Sequence, residues 1–192
     1  DVFRNTEPGL DAYPTEKYAA ELEAILAQWG EALCQFPADF RPLESSLSPV
    51  LVASPLTPLG DEVVRSDTTF EVRRVLFPKT QSVARDTFVS QLRSLANPLS
   101  RLLTTEFKIP SLNVVSSSPL AVQTLVRYDF VVSWPDFHRE ERLGEWHIEW
   151  EQSSNGEWRI RKWQALEEAS CRATSPMFVD ITAQAFEGNA SY

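Results

Sequence analysis

Two cysteines, two histidines and a deficit of basic residues set the first limits on what this 192-residue chain does. Cys34 and Cys171 are too few and too far apart in sequence for a disulfide framework or a zinc knuckle, which need clustered or repeated cysteines. They read as two buried thiols, with one bridge between them as the alternative. A metal site would need His138 and His147 to converge with carboxylates such as Glu140, Glu141, Glu149 or Asp129, and their spacing gives no help. His147 and Glu149 project from one strand face, but charged cross-strand pairs are expected there anyway, so no metal site is assigned. With 18 Lys and Arg against 27 Asp and Glu, the charge of −9 repels phosphate backbones and anionic lipid, and no nucleic-acid partner is expected. No run of about eighteen apolar residues occurs, so no membrane span is expected. Nothing after Asp1 has the charged-then-apolar pattern of a leader, and any leader is expected to lie outside this chain.

Motifs for covalent chemistry are missing as well. Ser116, Ser117 and Ser118 sit in a loop without a Gly-x-Ser-x-Gly elbow, and Cys34 lies on a helical stretch without a nearby histidine. No catalytic residue and no cofactor are assigned on this basis. Asn189-Ala190-Ser191 matches a glycosylation acceptor, a pattern short enough to arise by chance.

What the chain does have is an aromatic hairpin. Trp146, Trp150, Trp158 and Trp163 fall within eighteen residues, in two alternating runs joined by Ser154-Asn155-Gly156. The Asn-Gly pair predicts a three-residue loop with Gly156 in the left-handed region and Ser153 and Glu157 as the closing pair. That register sets Glu151 opposite Arg159, Trp150 opposite Ile160 and Glu149 opposite Arg161. Trp146, Ile148, Trp150, Trp158 and Ile160 then share a core face, and His147, Glu149, Glu151, Arg159 and Arg161 share a wet one. Trp163 falls on the charged face unless a bulge turns it inward.

The rest of the chain reads as helices followed by a meander. Residues 1–14, with Pro8, Gly9 and Pro14, form an extended arm. Tyr18, Leu22, Ile25, Trp29, Leu33 and Phe36 recur at helical spacing, and Pro37 ends that helix. Five prolines between Pro37 and Gly60 imply a packed connection with one short helical turn. Residues 69–77 suggest a strand, and 82–96 a second helix with Phe88, Leu92 and Leu95 on one face, continued by Leu99 and Leu102 beyond an Asn97-Pro98 break. Four strand-like runs follow at 105–115, 120–133, 140–152 and 157–167. In the second, Val122, Thr124, Val126, Tyr128, Phe130 and Val132 alternate with Gln123, Arg127 and Asp129. The expected fold is therefore α+β: a strongly bent antiparallel meander wrapped around amphipathic helices as a cone.

This order, with Thr124-Leu-Val-Arg-Tyr128, Gly144-Glu-Trp-His-Ile-Glu-Trp150 and Gly156-Glu-Trp-Arg-Ile160 plus Trp163, resembles the nuclear transport factor 2-like (SnoaL-like, cystatin-like) domain over residues 15–169. The resemblance implies a cavity between sheet and helices in which an inward Asp, His or Tyr does the work. Tyr128 is the clearest inward polar candidate. Asp129 must point the other way by strand alternation, and the best-read strands offer no inward carboxylate or histidine. Tyr128, Trp146, Trp150 and Trp158 are the ligand-pocket candidates, for an apolar small molecule, although residues of these types in such a pattern are more often plain core.

In the remaining segment, 170–192, Phe178-x-Asp180-Ile-Thr182 resembles the lead-in to FG-GAP/VCBS repeats of secreted ASPIC/UnbV-type bacterial proteins, without their Asp-rich calcium loops. That resemblance implies an exported, periplasmic or extracellular, multidomain protein, and the missing catalytic residues make its accessory amino-terminal domain an expected non-catalytic binding or interaction module. The alternative is a SnoaL-like isomerase, dehydratase or hydrolase with Tyr128 as hydrogen-bond donor. A homodimer through the sheet face, using Arg127, Arg159, Arg161 and Trp163, is a third expectation. An open cavity with an inward acid favours the enzyme; a cavity filled by Trp and Phe favours the module.

Overall fold

Helical spacing of apolar residues buries Leu22, Leu26, Trp29 and Leu33 along one side of α1 (Pro14–Leu33) in the computed structural model, which describes residues 14–95, 101–134 and 139–173. The readings of residues 1–13, of Asn97-Pro98 and Leu99, of His138 and of the tail beyond 173 lie outside the described residues. The helix ends before Phe36, which is exposed rather than part of the stripe. Asp39 N donates to the Ala32 carbonyl and folds the chain back ahead of that ring.

The proline-rich connection holds the expected helical turn, α2 (Arg41–Ser45), but also strand β1 (Leu47–Ala53), which the proline density argued against. β1 tolerates Pro49 because its parallel pairing with the last strand breaks between Leu47 and Val52, where that residue needs no ladder hydrogen bond. Strands β2 (Gly60–Ser66) and β3 (Phe70–Leu76) form a hairpin. Asp67 closes it by accepting the N–H groups of Thr69 and Phe70. Helix α3 (Arg85–Leu95) buries Phe88 and Leu92 as expected. Leu102 does not continue that helix. It opens strand β4 (Arg101–Ser117), which is followed by β5 (Leu120–Ser133), β6 (Arg139–Gln152) and β7 (Trp158–Ala173). β7 thus runs past Glu167, and its last residues pair with β3 as far as Phe70 opposite Ala173.

The fold is α+β, with one sheet in the order β2-β3-β7-β6-β5-β4 and β1 added beside β7. The expected alternation of β5 holds: Val122, Thr124, Val126, Tyr128, Phe130 and Val132 are all buried. In the aromatic hairpin Ser153 N donates to the Glu157 carbonyl, Gly156 has φ 86°, and Glu151 pairs with Arg159 and Trp150 with Ile160. Then the register slips. Glu149 faces Lys162, not Arg161, because Arg161 is an extra, bulged residue. The bulge turns Trp163 inward opposite Ile148, where it is 1 % exposed. A second slip, with Trp146 opposite Ala165 and Glu145 opposite Glu167, leaves Leu166 unpaired.

One part of the core is filled by rings. Trp29 of α1 stacks on Trp150 and Trp163 with centroids 5.7 and 5.8 Å away, and Phe88 of α3 meets Trp163 at 5.2 Å. Most buried indoles keep a polar partner: Trp29 Nε1 donates to Ser46 Oγ, Trp150 Nε1 to Thr124 Oγ1 and Trp158 Nε1 to Glu21. Cys34 and Cys171 are free, and each is half-buried rather than fully buried.

Candidate active site

Phe107, Tyr128, Gly144, Glu168 and Val75 stand in one register row across β4, β5, β6, β7 and β3. Tyr128 and Glu168 are two strands apart, about 9–10 Å between backbones at ordinary strand spacing, so only a long side chain with a clear path can join them. Gly144 provides that path. A Cβ at this position would overlap the hydroxyl and ring of Tyr128. The Tyr128 hydroxyl therefore donates to Glu168 Oε2 at 2.6 Å, with its ring stacked on Trp146 at 4.2 Å and Phe130 at 4.7 Å.

Glu168 faces inward only because of the bulge at Leu166. Counting by two from Trp163 and Ala165 would have sent Glu167 into the core; the extra residue reverses the parity. Burial raises the pKa of Glu168 above its ordinary value and the charge of Glu140 adds to this, while the Tyr128 hydrogen bond and Arg142 oppose it. Burial and the neighbouring Glu168 push the Tyr128 hydroxyl far up, so it stays a donor at neutral pH.

Two further rows continue the inward face. Phe130, Arg142, Ser170 and Arg73 form one, and Val132, Glu140, Arg172 and Glu71 the next. Opposite charges alternate across them. Arg142 Nε donates to Glu140 Oε1 at 2.6 Å, and Trp134 Nε1 donates to the other Glu140 oxygen at 3.0 Å. Arg73 is held by Glu71 and Asp61 at 2.6 and 2.8 Å, and Arg172 lies over the Trp134 ring.

These rows border two spaces. An apolar chamber of about 40 Å³, room for one or two water molecules, lies among Leu33, Phe77, Leu92, Leu102, Tyr128 and Trp146. Outside it a polar cleft of about 570 Å³ opens between β3 and the ends of β6 and β7. Among the described residues, Arg142 and Glu168 are the two that line both.

The structure brings two of the four pocket candidates, Tyr128 and Trp146, to the chamber. Trp150 and Trp158 do not line it: the first is sealed beneath Trp29, and the second packs on Tyr18 near the start of α1. Asp129 lies opposite Leu143, on the face away from Tyr128. His147 is exposed beside the Glu149–Lys162 pair, and no group of described residues could hold a metal ion. Arg127 pairs with Glu145, Arg161 with Glu151, and Arg159 with Glu157 and the Ser45 carbonyl. Trp163 is internal and is no part of an outer face.

Sequence reasoning gave Glu140 only as a carboxylate that a metal site would need, and missed Arg142 and Glu168 altogether. Glu140 and Arg142 had a signal, being in phase with Trp146 when counted back by two along β6. Glu168 had none, because the bulge that inverts its orientation leaves no mark in composition.

No protein-family model and no curated protein sequence matches the chain. Solved structures do resemble it. A conserved protein from Planctomyces limnophilus aligns with TM-score 0.53 and 16 % identity over 78 % of this chain and 97 % of its own. A candidate scytalone dehydratase from Novosphingobium aromaticivorans gives 0.50 and 11 % over 80 % and 85 %. The β subunit of a candidate aromatic-ring-hydroxylating dioxygenase from the same organism gives 0.51 and 8 % over 80 % and 91 %. At these identities the likeness speaks to fold alone. The chain has the nuclear transport factor 2-like, SnoaL-like α+β cone fold.

Proposed function

We propose that the protein is a small-molecule isomerase or dehydratase in which Glu168 moves the proton. The observation that carries this is a buried carboxyl at the floor of an open cleft, with one oxygen fixed by Tyr128. Burying an ionisable carboxyl works against stability unless something is gained from it, and a raised proton affinity moves a carboxylate toward the range in which a general base and its conjugate acid both serve. Trp29, Trp150, Trp163 and Phe88 fill one part of the interior, whereas the part bordered by Glu168 is open. A non-catalytic module accounts for the filled part and gives no reason for the acid.

In this reading Tyr128 holds Oε2, and the second oxygen of Glu168 takes a proton from a carbon of the bound molecule and returns it elsewhere. The test is turnover of a panel of β,γ-enones and β-hydroxy ketones, followed by enone absorbance, with wild type and Glu168→Gln. Wild type should convert at least one member, and the variant should lose about 100-fold or more, as expected for a general base. An inactive wild type, or a variant as fast as wild type, overturns the reading.

A further inference from the structure

We infer that Arg142 receives the oxygen of the substrate and that the substrate is an uncharged carbonyl compound with a short apolar end. The inference rests on the proton-transfer reading of Glu168 and adds the group recognised there. Arg142 and Glu168 border both the apolar chamber and the cleft, so a molecule placed across that boundary meets both side chains. They are diagonal neighbours on adjacent strands: Arg142 pairs with Ser170, and Gly144, two residues on, pairs with Glu168. Side chains at that separation, about 7–8 Å, can flank a carbonyl and the carbon next to it.

The hydrogen bonds leave the needed groups unspent. Arg142 gives its Nε to Glu140, while its two terminal nitrogens bond to no described residue; the side chain is 23 % exposed. Glu140 is fully engaged, one oxygen on Arg142 and the other on Trp134, so the guanidinium is held in place. Glu168 has one oxygen on Tyr128 and the other bonded to no described residue. The donors of a held guanidinium thus border the same two spaces as one free carboxyl oxygen, and held donors of this kind stabilise charge developing on an oxygen.

Charge decides which acceptor fits. Glu140 already neutralises Arg142, and Arg73 is neutralised by Glu71 and Asp61. A carboxylate substrate would bring another negative charge beside Glu140 and Glu168, whereas a ketone oxygen accepts the same hydrogen bonds without one. The chamber behind, lined by Leu92, Phe77 and Leu102, suits an alkyl end. The step balances: Glu168 takes the α-proton, the C–H pair becomes the C=C bond, and the carbonyl π pair moves to oxygen as an enolate held by Arg142. The proton or a solvent deuteron then returns to carbon, and Glu168 is again a carboxylate.

The test uses 2-butanone and butanoate with the full chain. In D2O wild type should exchange the α-protons of 2-butanone, and Arg142→Gln should lower that rate about 100-fold, as loss of an oxyanion donor does, with Arg142→Lys restoring part. Because the glutamine variant leaves Glu140 without its cation and could misfold, the carbon-13 shift of carbonyl-labelled 2-butanone is read on wild type; it should move downfield on binding. Exchange lost in Glu168→Gln but unchanged in a folded Arg142→Gln overturns the role of Arg142 and leaves the proton-transfer reading standing. A downfield shift that needs Arg142, without exchange, does the reverse. Butanoate binding more tightly than 2-butanone overturns the uncharged substrate.

Discussion

Tyr128 donates its hydroxyl to Glu168 across a strand that carries no side chain at the crossing point, since Gly144 stands between them in the same register row. The contact depends on that glycine for space, not for backbone freedom.

Gly144→Ala should therefore act at a distance from its own backbone. Its methyl would displace the Tyr128 ring, which is wedged on Trp146 and Phe130, and overpacking of this kind costs about 1–3 kcal/mol. Urea unfolding should show that loss, and the variant should also lose activity, because Tyr128 would no longer hold the Glu168 carboxyl. A Gly144→Ala protein as stable and active as wild type would mean that the ring has another place to go.

The raised pKa of Glu168 makes a signed statement about pH. A carboxyl whose folded value lies above its unfolded one binds more protons when folded. Its favourable contribution is full below the ordinary value of 4.5 and is lost as pH rises through the folded value. Glu168→Gln removes that loss. The melting temperature of the variant minus that of wild type should therefore increase with pH over this window and then level off. Asp39 and Asp67 run the other way, held at about 2 by Arg41 and by the Phe70 and Thr69 N–H groups respectively. Their contribution is lost as pH falls from 3.8 through 2, in both proteins alike, so the difference isolates Glu168. A difference that is flat, or that falls with pH, refutes the raised value.

The sequence exposed the parts of this site that obey strict period two. Tyr128 and Trp146 are in phase with their strands, and the Asn155-Gly156 turn fixed the first pairs of the hairpin. Legibility ended at Arg161 and Leu166, where an extra residue changes the face of everything after it. Trp163 could be stated only conditionally, and Glu168, past both bulges, was hidden. β1 was missed for a different reason. Its proline density argues against a strand only where every ladder hydrogen bond is required, and its pairing with β7 is interrupted at Pro49. Glu140 and Arg142 were legible in phase, but the inward face of β6 was followed back only to Trp146, because charge alone does not say which part of an inner face stays open.

Thr124 gives a clean probe of buried polarity. Its hydroxyl accepts the Trp150 indole N–H at 3.0 Å and donates to the Ile148 carbonyl, with both side chains fully buried. Thr124→Val keeps the volume and strands that N–H, so about 1–3 kcal/mol should be lost in urea unfolding. Adding Trp150→Phe should cost less in the valine background than in wild type, a coupling read from the double-mutant cycle. Strict additivity of the two substitutions would show that the hydrogen bond carries no energy of its own.

Trp29 joins the helical layer to the bulge-placed part of the sheet, stacked on both Trp150 and Trp163 and 1 % exposed. Trp29→Ala should cost about 3–5 kcal/mol, because the two facing indoles cannot both move into the space it leaves. Lys162→Ala offers the contrast: its ammonium pairs with Glu149 at 2.7 Å but is largely exposed, and such pairs contribute only about 0–1 kcal/mol. If the two variants unfold at similar urea midpoints, the sheet holds its curvature without α1, and the space next to Glu168 is set by the strands alone.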